Sequence, residues 1–216
     1  MSAPAVERGQ RGEAARAARQ EEILDAARRV FAERGFKGTT IADVAEAAGI
    51  ALGTIYLYFK SKDDLLAALS QRLHDLIAGS FAGDPEATLD ATVRVRVRNV
   101  FAACAQNRDL VRLVVLNTDP ESAAARRMRE SETPRSQPLV EGLAVAVERG
   151  WIRNDDPCVM AKLIIGLVSI SVYQAYVMGD GDGADALCEG CADMIVAYLT
   201  PQSTADMSEQ LGAQRT

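Results

Sequence analysis

The stretch Thr39–Leu66, "TTIADVAEAAGIALGTIYLYFKSKDDLL", restricts the possible folds more than any other part of the chain. Thr39 or Thr40 is suited to cap a helix, and Asp43 stands three residues after Thr40 in capping-box position. Ile41, Val44, Ala45 and Ala48 then fall on one helical face, and Gly49 closes the run as a left-handed glycine would. A second short helix is expected over about Leu52–Phe59. Ser61, followed by Asp63 and Asp64, opens another with a cap and a favourable dipole. Two short helices joined by a tight turn make a helix-turn-helix rhythm, with the small Ala45 where the two must approach. Aromatics form only 5% of the chain, yet Tyr56, Tyr58 and Phe59 crowd together beside Lys60 and Lys62. If all three rings were core, both phenol hydroxyls would need buried partners.

The remainder reads as helix as well. Ile23, Ala26, Ala27, Val30 and Phe31 recur at helical spacing and Gly35 ends that run. Leu65, Leu66, Leu69 and Leu73 share a face of the helix that Ser61 opens. "TVRVRVRNV" from Thr92 alternates as a strand would. Leu89, Val93, Val97, Val100, Phe101 and Cys104 also form a helical stripe, Asp90 and Arg94 make a favourable i,i+4 pair, and the flanks are helical, so helix is the reading. Further helices are expected at 109–117, 121–131, 138–149, 157–178 and 184–199, with "GDGDG" as a loop. The expected architecture is all-α with about nine helices. Residues 1–18 form a flexible basic arm, 19–62 a three-helix helix-turn-helix domain, 63–200 a helical second domain and 201–216 a disordered tail.

The net charge of −6 excludes a general basic coat for nucleic acid, but it hides an asymmetry. Residues 1–62 carry +2 and the remainder −8, which suits local contact between the first part and an anionic polymer. No apolar signal segment opens the chain, and "LIIGLVSISVYQAYVM" is short and polar-interrupted for a membrane span. It reads as a helix buried on nearly all sides, and a cytoplasmic protein with no membrane partner is expected. Cys188-x-x-Cys191 lacks two further ligands for a structural zinc, and the chain has one histidine, His74. No strand precedes the pair as thioredoxin-like chemistry would want. An inert core pair is favoured, with oxidation control of binding as the alternative. Neither a phosphate-cradling loop, a His-Glu cluster nor a Gly-x-Ser-x-Gly elbow occurs, so no catalytic residue, metal or cofactor is expected.

From about Ile23 to Leu69 the residues resemble the TetR family of transcription regulators. The resemblance rests on the glycine-closed helix, the run Gly53-Thr54-Ile55-Tyr56-x-Tyr58-Phe59, then Lys60-x-Lys62 and the acidic-apolar helix start. It implies a sequence-specific DNA-binding regulator, most often a repressor, released from a palindromic operator by a small apolar effector. Ala51, Leu52, Gly53 and Thr54 would face bases, Tyr56 and Tyr58 the backbone, and Thr40 and Lys62 would clamp phosphates. Ala51, Leu52 and Gly53 lack side-chain donors, so base reading would rest on Thr54, thymine methyls and close backbone approach at Gly53, with arginines of the arm adding minor-groove contacts. The resemblance also implies a homodimer through the last two long helices and an effector cavity in the second domain. Candidate lining is Phe101, Leu113, Leu116, Asn117, Met128, Trp151, Tyr173 and Tyr176. The alternative reading is a helical small-molecule or redox sensor, the latter through Cys188 and Cys191, with DNA binding secondary.

Overall fold

In the computed structural model, which describes residues 3–80, 88–117 and 123–201 (side chains over 12–80, 88–117 and 136–201), every regular element is helical. The elements are α1 (Ala3–Arg34), α2 (Ile41–Ala47), α3 (Leu52–Ile55), α4 (Lys62–Gly79), α5 (Leu89–Gln106), α6 (Arg108–Asn117), α7 (Ala123–Glu148), α8 (Pro157–Tyr173), a π-helical turn (Gln174–Met178) and α9 (Ala184–Leu199). The backbone divides into two compact units, with breaks after residues 75, 106 and 130. The first therefore runs into α4 and takes in α6, reaching beyond the 19–62 expected from sequence.

The first unit packs α2 and α6 on α1, and α3 on α2. Its core is Ile23, Ala27 and Phe31 of α1, Val44 and Ala45 of α2, Ile55, Phe59, Leu65, Leu69, and Leu110 of α6. Burying each large aliphatic side chain is worth roughly 1.5–3 kcal/mol. A second tie joins α1 to α6, where the Arg28 guanidinium donates to both Asp109 oxygens and to Asn107 Oδ1. Fixed placement of α2 and α3 follows from the turns around them. Thr39 Oγ1 donates to Gly35 O at 2.8 Å, and a Cβ at Gly38 would meet Arg34 O at 2.8 Å, so that turn admits only glycine. Gly49 takes φ +65 and lets Ile50 N donate back to Ala45 O, ending α2 as expected.

The second unit packs α9 against α5 and α8. Val93, Val97, Val100 and Phe101 of α5 meet Met160, Ile164 and Val168 of α8 and Cys188, Cys191, Ala192 and Ile195 of α9 in its core. The alternating "VRVRVR" run is thus helix, and its arginines are used unequally. Arg94 binds Asp90, Glu189 and Asp193, and Arg98 binds Glu189, so two of them staple α5 to α9.

Several sequence expectations need correction. The arm is not separate: α1 is helical from Ala3, although residues 12–22 are all exposed. The second helix of the helix-turn-helix is regular only to Ile55, because Leu57 N and Tyr58 N donate to carbonyls three residues back and tighten the last turn. The expected helices at 121–131 and 138–149 are one helix, α7, which carries Pro134 and Pro138 within it. The long apolar helix is buried on one face only. Met160, Ile164, Val168 and Val172 turn inward, whereas Val159, Leu163, Ile165 and Ile170 are exposed within a single chain. Its last residues widen into the π turn, which buries Ala175, Tyr176 and Val177 in succession. By length and composition Pro157–Met178 could cross a membrane, but 39% of its most apolar window is buried in the protein. Of the expected tail, residues 202–216 lie outside the described residues.

Candidate nucleic-acid interface and ligand cavity

The surface around α3 presents several residues that take no part in the core of the first unit. Ile55 is fully buried and Phe59 nearly so, and these two anchor the segment. Around them Ala51 and Gly53 are exposed, Leu52 is 45% exposed, Tyr56 48% and Leu57 72%. Gly53 is not required by the backbone, since its φ is not positive and a Cβ there would meet nothing within 4 Å. Thr54 and Tyr58 are half-buried. The Arg16 guanidinium of α1 lies 5.8 Å from the Tyr58 ring centroid, near enough for a cation–π contact. The opening puzzle of three clustered aromatics therefore divides, with Phe59 in the core and Tyr56 presented outward.

The two expected phosphate clamps are already engaged within the protein. Thr40 caps α2: Asp43 N donates to its Oγ1 at 3.2 Å, and both Thr40 N and Thr40 Oγ1 donate to Asp43 Oδ2 at 2.7 Å. Those bonds from Thr40, with the nearby Arg34 charge, hold the Asp43 carboxyl below its ordinary range. Lys62 Nζ donates to Phe36 O at 2.9 Å, Thr39 O at 3.2 Å and Lys37 O at 3.4 Å, and sits 4.7 Å from the Phe36 ring centroid. An ammonium has three donors, and these carbonyls take them all. Lys62 thereby ties the start of α4 to the turn before α2. Sequence reasoning passed over Lys37 and Lys60, which are exposed and whose ammonium groups have no partner among the described residues. The Lys-x-Lys pattern gave no signal as to which lysine the fold would use.

Within the second unit lies a cavity of about 850 Å³. Its walls come from Val93 and Val97 of α5, Leu139 and Leu143 of α7, Ile164 and Val168 of α8, and Ile195 and Leu199 of α9, with Trp151 and Ile152 from the loop after α7. Arg96, Arg149 and Glu141 add charge to the lining. The size suits a small-molecule site. Of the eight candidate lining residues, Trp151 is placed on it. Phe101 and Tyr176 meet each other instead, with ring centroids 6.1 Å apart and Tyr176 Oη donating to Phe101 O at 3.2 Å. Tyr173 ends α8, half-buried. Leu113, Leu116 and Asn117 belong to α6 in the first unit, where Asn117 Nδ2 donates to Leu113 O. The Met128 side chain lies outside the described residues.

The remaining motifs have quiet settings. Cys188 and Cys191 are buried in α9, and burial pushes both thiols up, which disfavours the reactive thiolate. His74 Nδ1 lies 2.7 Å from Ser70 O one turn earlier. No cluster of metal-ligating side chains occurs among the described residues.

Residues 23–69 match the family model described as "Bacterial regulatory proteins, tetR family". The HTH-type transcriptional repressor KstR2 of Rhodococcus jostii is 35% identical over 108 residues, covering 46% of this chain and 53% of the relative. The chain thus spans about half the length of that relative. Among solved structures, the fatty acid degradation regulator FadR from Bacillus halodurans is 26% identical with a TM-score of 0.66, over 82% of this chain and 94% of that one. The transcriptional regulator FadR from Bacillus subtilis, solved in complex with stearoyl-CoA, has a TM-score of 0.67 at 24% identity, over 83% of this chain and 98% of that one, a likeness of fold.

Proposed function

This chain is a member of the TetR family of bacterial regulatory proteins, and from that premise we propose that it is a ligand-responsive, sequence-specific DNA-binding repressor. The observation that carries the reading is the α3 surface: Ala51, Leu52, Gly53 and Tyr56 are exposed together, and the glycine answers no need of the fold. Residues 19–62 act as the reading head. Ala51, Leu52, Gly53 and Thr54 approach base edges, and the tyrosine hydroxyls meet phosphates. Lys60 and Lys37 supply the phosphate charge, while Lys62 keeps its internal task and Thr40 its cap. No cofactor, catalytic step or membrane role enters, and the protein acts in the cytoplasm.

The exposed stripe Val159, Leu163, Gly166 and Ile170 on α8, with Met194 on α9, supports a homodimer through these helices. A two-fold axis there would set two reading heads on half-sites roughly 34–36 Å apart. The cavity holds the effector. The two FadR neighbours concern fatty acid degradation and stearoyl-CoA, and their likeness supports an effector with a long apolar chain. An effector that prefers the conformation with mis-spaced heads lowers DNA affinity by its differential affinity for the two states. The redox alternative is not favoured, because both thiols of the Cys-x-x-Cys pair are buried, and burial pushes both up, away from the reactive thiolate.

Fluorescence anisotropy on DNA upstream of the chain's own gene, and on sequences selected from random DNA, tests the reading. A Kd of about 10⁻⁸ M or tighter, with a preference of about 10³ over scrambled DNA, is the expected outcome. Equal, steeply salt-dependent binding to every sequence after selection would sink it.

A further inference from the structure

We propose that the cavity is selective for an anionic amphiphile, with Arg96 and Arg149 binding the charged group and the apolar walls holding the chain. The inference deepens the reading of the cavity as an effector site and rests on it. It starts from the run Arg94, Arg96, Arg98 in α5. On a helix, residues four apart share a face and a residue midway between them points away. Arg94 and Arg98 accordingly bind the α9 carboxylates of Glu189 and Asp193, whereas Arg96 faces the cavity. Among the described residues Arg96 has no carboxylate or carbonyl partner.

Arg149, at the end of α7, is the second cation of the lining. Its guanidinium lies 4.6 Å from the Trp151 ring centroid, and that ring also lines the cavity. Stacking fixes the plane of the guanidinium and leaves its N–H donors open to an anion. Other polar groups of the wall make bonds within the protein. Thr88 Oγ1 accepts from Ala91 N, Thr92 Oγ1 donates to Thr88 O, and Glu141 Oε1 accepts from Gln137 Nε2. With Glu141 counted, the lining still carries an excess of one positive charge, and its charged donors are guanidinium groups. Arg96 is half-buried and Arg149 exposed, so a neutral amphiphile would forgo the charge-assisted hydrogen bonds an anion makes with them, and a cationic one would be repelled.

Trp151 is the only tryptophan of the chain, so its fluorescence reports on this cavity alone. The full-length protein is titrated, below the micelle threshold of each probe, with dodecanoate, dodecanol and dodecylamine. Dodecanoate is expected to bind about tenfold or more tightly than dodecanol, and dodecylamine most weakly. The double variant Arg96→Gln, Arg149→Gln should bind dodecanol within about twofold of the parent and lose the preference for the acid. Far-ultraviolet circular dichroism checks that it folds, and the single variants serve if it does not. Equal affinity for acid and alcohol, a preference that survives both substitutions, or no spectral response to any probe would each overturn the proposal. DNA release is read separately. Selective dodecanoate binding without release would leave the anion site standing and remove the effector reading. Release by acid and alcohol alike would do the reverse.

Discussion

The two units use their cations in opposite ways. In the first, several are tied down by the fold: Arg28 on Asp109, Arg34 on Asp43, Arg72 on Asp25, and Lys62 on backbone carbonyls. The +2 carried by residues 1–62 thus does not say which of those charges is free to meet a phosphate backbone. In the second unit, which is acidic overall, two arginines on a largely apolar cavity are left without carboxylate partners among the described residues. A charge count by segment thus points to where anions are met in the first unit and hides it in the second. What decides is which donors remain unspent after the helices have packed, and that follows from helical phase and not from composition.

The comparison breaks most readily at the anchor of the reading head. Phe59→Ala removes a ring that is 4% exposed and should cost about 3–5 kcal/mol, seen as a large drop in the urea midpoint. Leu57→Ala, two residues earlier and 72% exposed, should stay within about 0.5 kcal/mol. Similar losses from both would mean that Leu57 is covered in solution and that the α3 surface is smaller than described.

The two lysines of the Lys-x-Lys pattern sharpen the contrast further. Lys62→Met leaves carbonyls of the 36–39 turn without their donor and should destabilise the protein by about 1–3 kcal/mol. The slope of log K against log salt for DNA binding should not change. Lys60→Ala should do the opposite, holding stability within about 0.5 kcal/mol while the slope falls by about one. A fall of the slope in the Lys62 variant alone would restore the clamp that the sequence suggests.

A smaller effect is expected from the tie between α1 and α6. The hydrogen bonds from Arg28, opposed by partial burial and helped by its charge, hold the Asp109 carboxyl below the usual range. A depressed folded pKa means stability that is present above the unfolded value of about 4 and lost as the pH falls through the folded one. Asp109→Asn should therefore cost about 1 kcal/mol at pH 7, since the pair is partly exposed, and should flatten the loss of stability on acidification below about pH 4. Identical acid profiles for parent and variant would show that the pair adds nothing.

Local chemistry was the legible part. Thr40 with Asp43, Gly35, Gly49 and Ser61 mark helix ends because capping and left-handed glycine are decided within a few residues. The helical reading of "TVRVRVRNV" holds for the same reason, its apolar stripe being complete within the segment. Helix ends set by longer-range events were missed. Nothing in the sequence showed that α1 would extend back to Ala3, or that Pro134 and Pro138 would lie inside one helix. The placement of the candidate site residues depended on which side chains had a competing partner. Tyr56 and Gly53 are exposed at α3, while Lys62 and Thr40 found partners across turns, and Phe101 and Tyr176 found each other. Trp151 lines the cavity, but the apolar residues that build its wall are indistinguishable in sequence from any other core stripe.

Gly53 separates fold from function most cleanly, because the smallest stability effect should accompany a measurable loss of binding. Its φ is not positive and a Cβ would meet nothing within 4 Å, so Gly53→Ala asks nothing of the backbone or its neighbours. Within α3, alanine is the better helix former by up to about 1 kcal/mol, and the melting temperature should rise slightly or stay level. If the glycine is there to let the backbone come close to DNA, the added methyl holds the reading surface off the groove floor. Loss of even one close base contact costs about 1–3 kcal/mol, so affinity for the selected operator should fall by about tenfold while affinity for scrambled DNA holds. Anisotropy on both DNAs, set beside a thermal melt, reads the two effects in one protein. An alanine variant that binds the operator as tightly as the parent would mean that Gly53 makes no approach, and base reading would then fall to Leu52 and Thr54. A variant that melts well below the parent would instead mean that the glycine serves the fold after all.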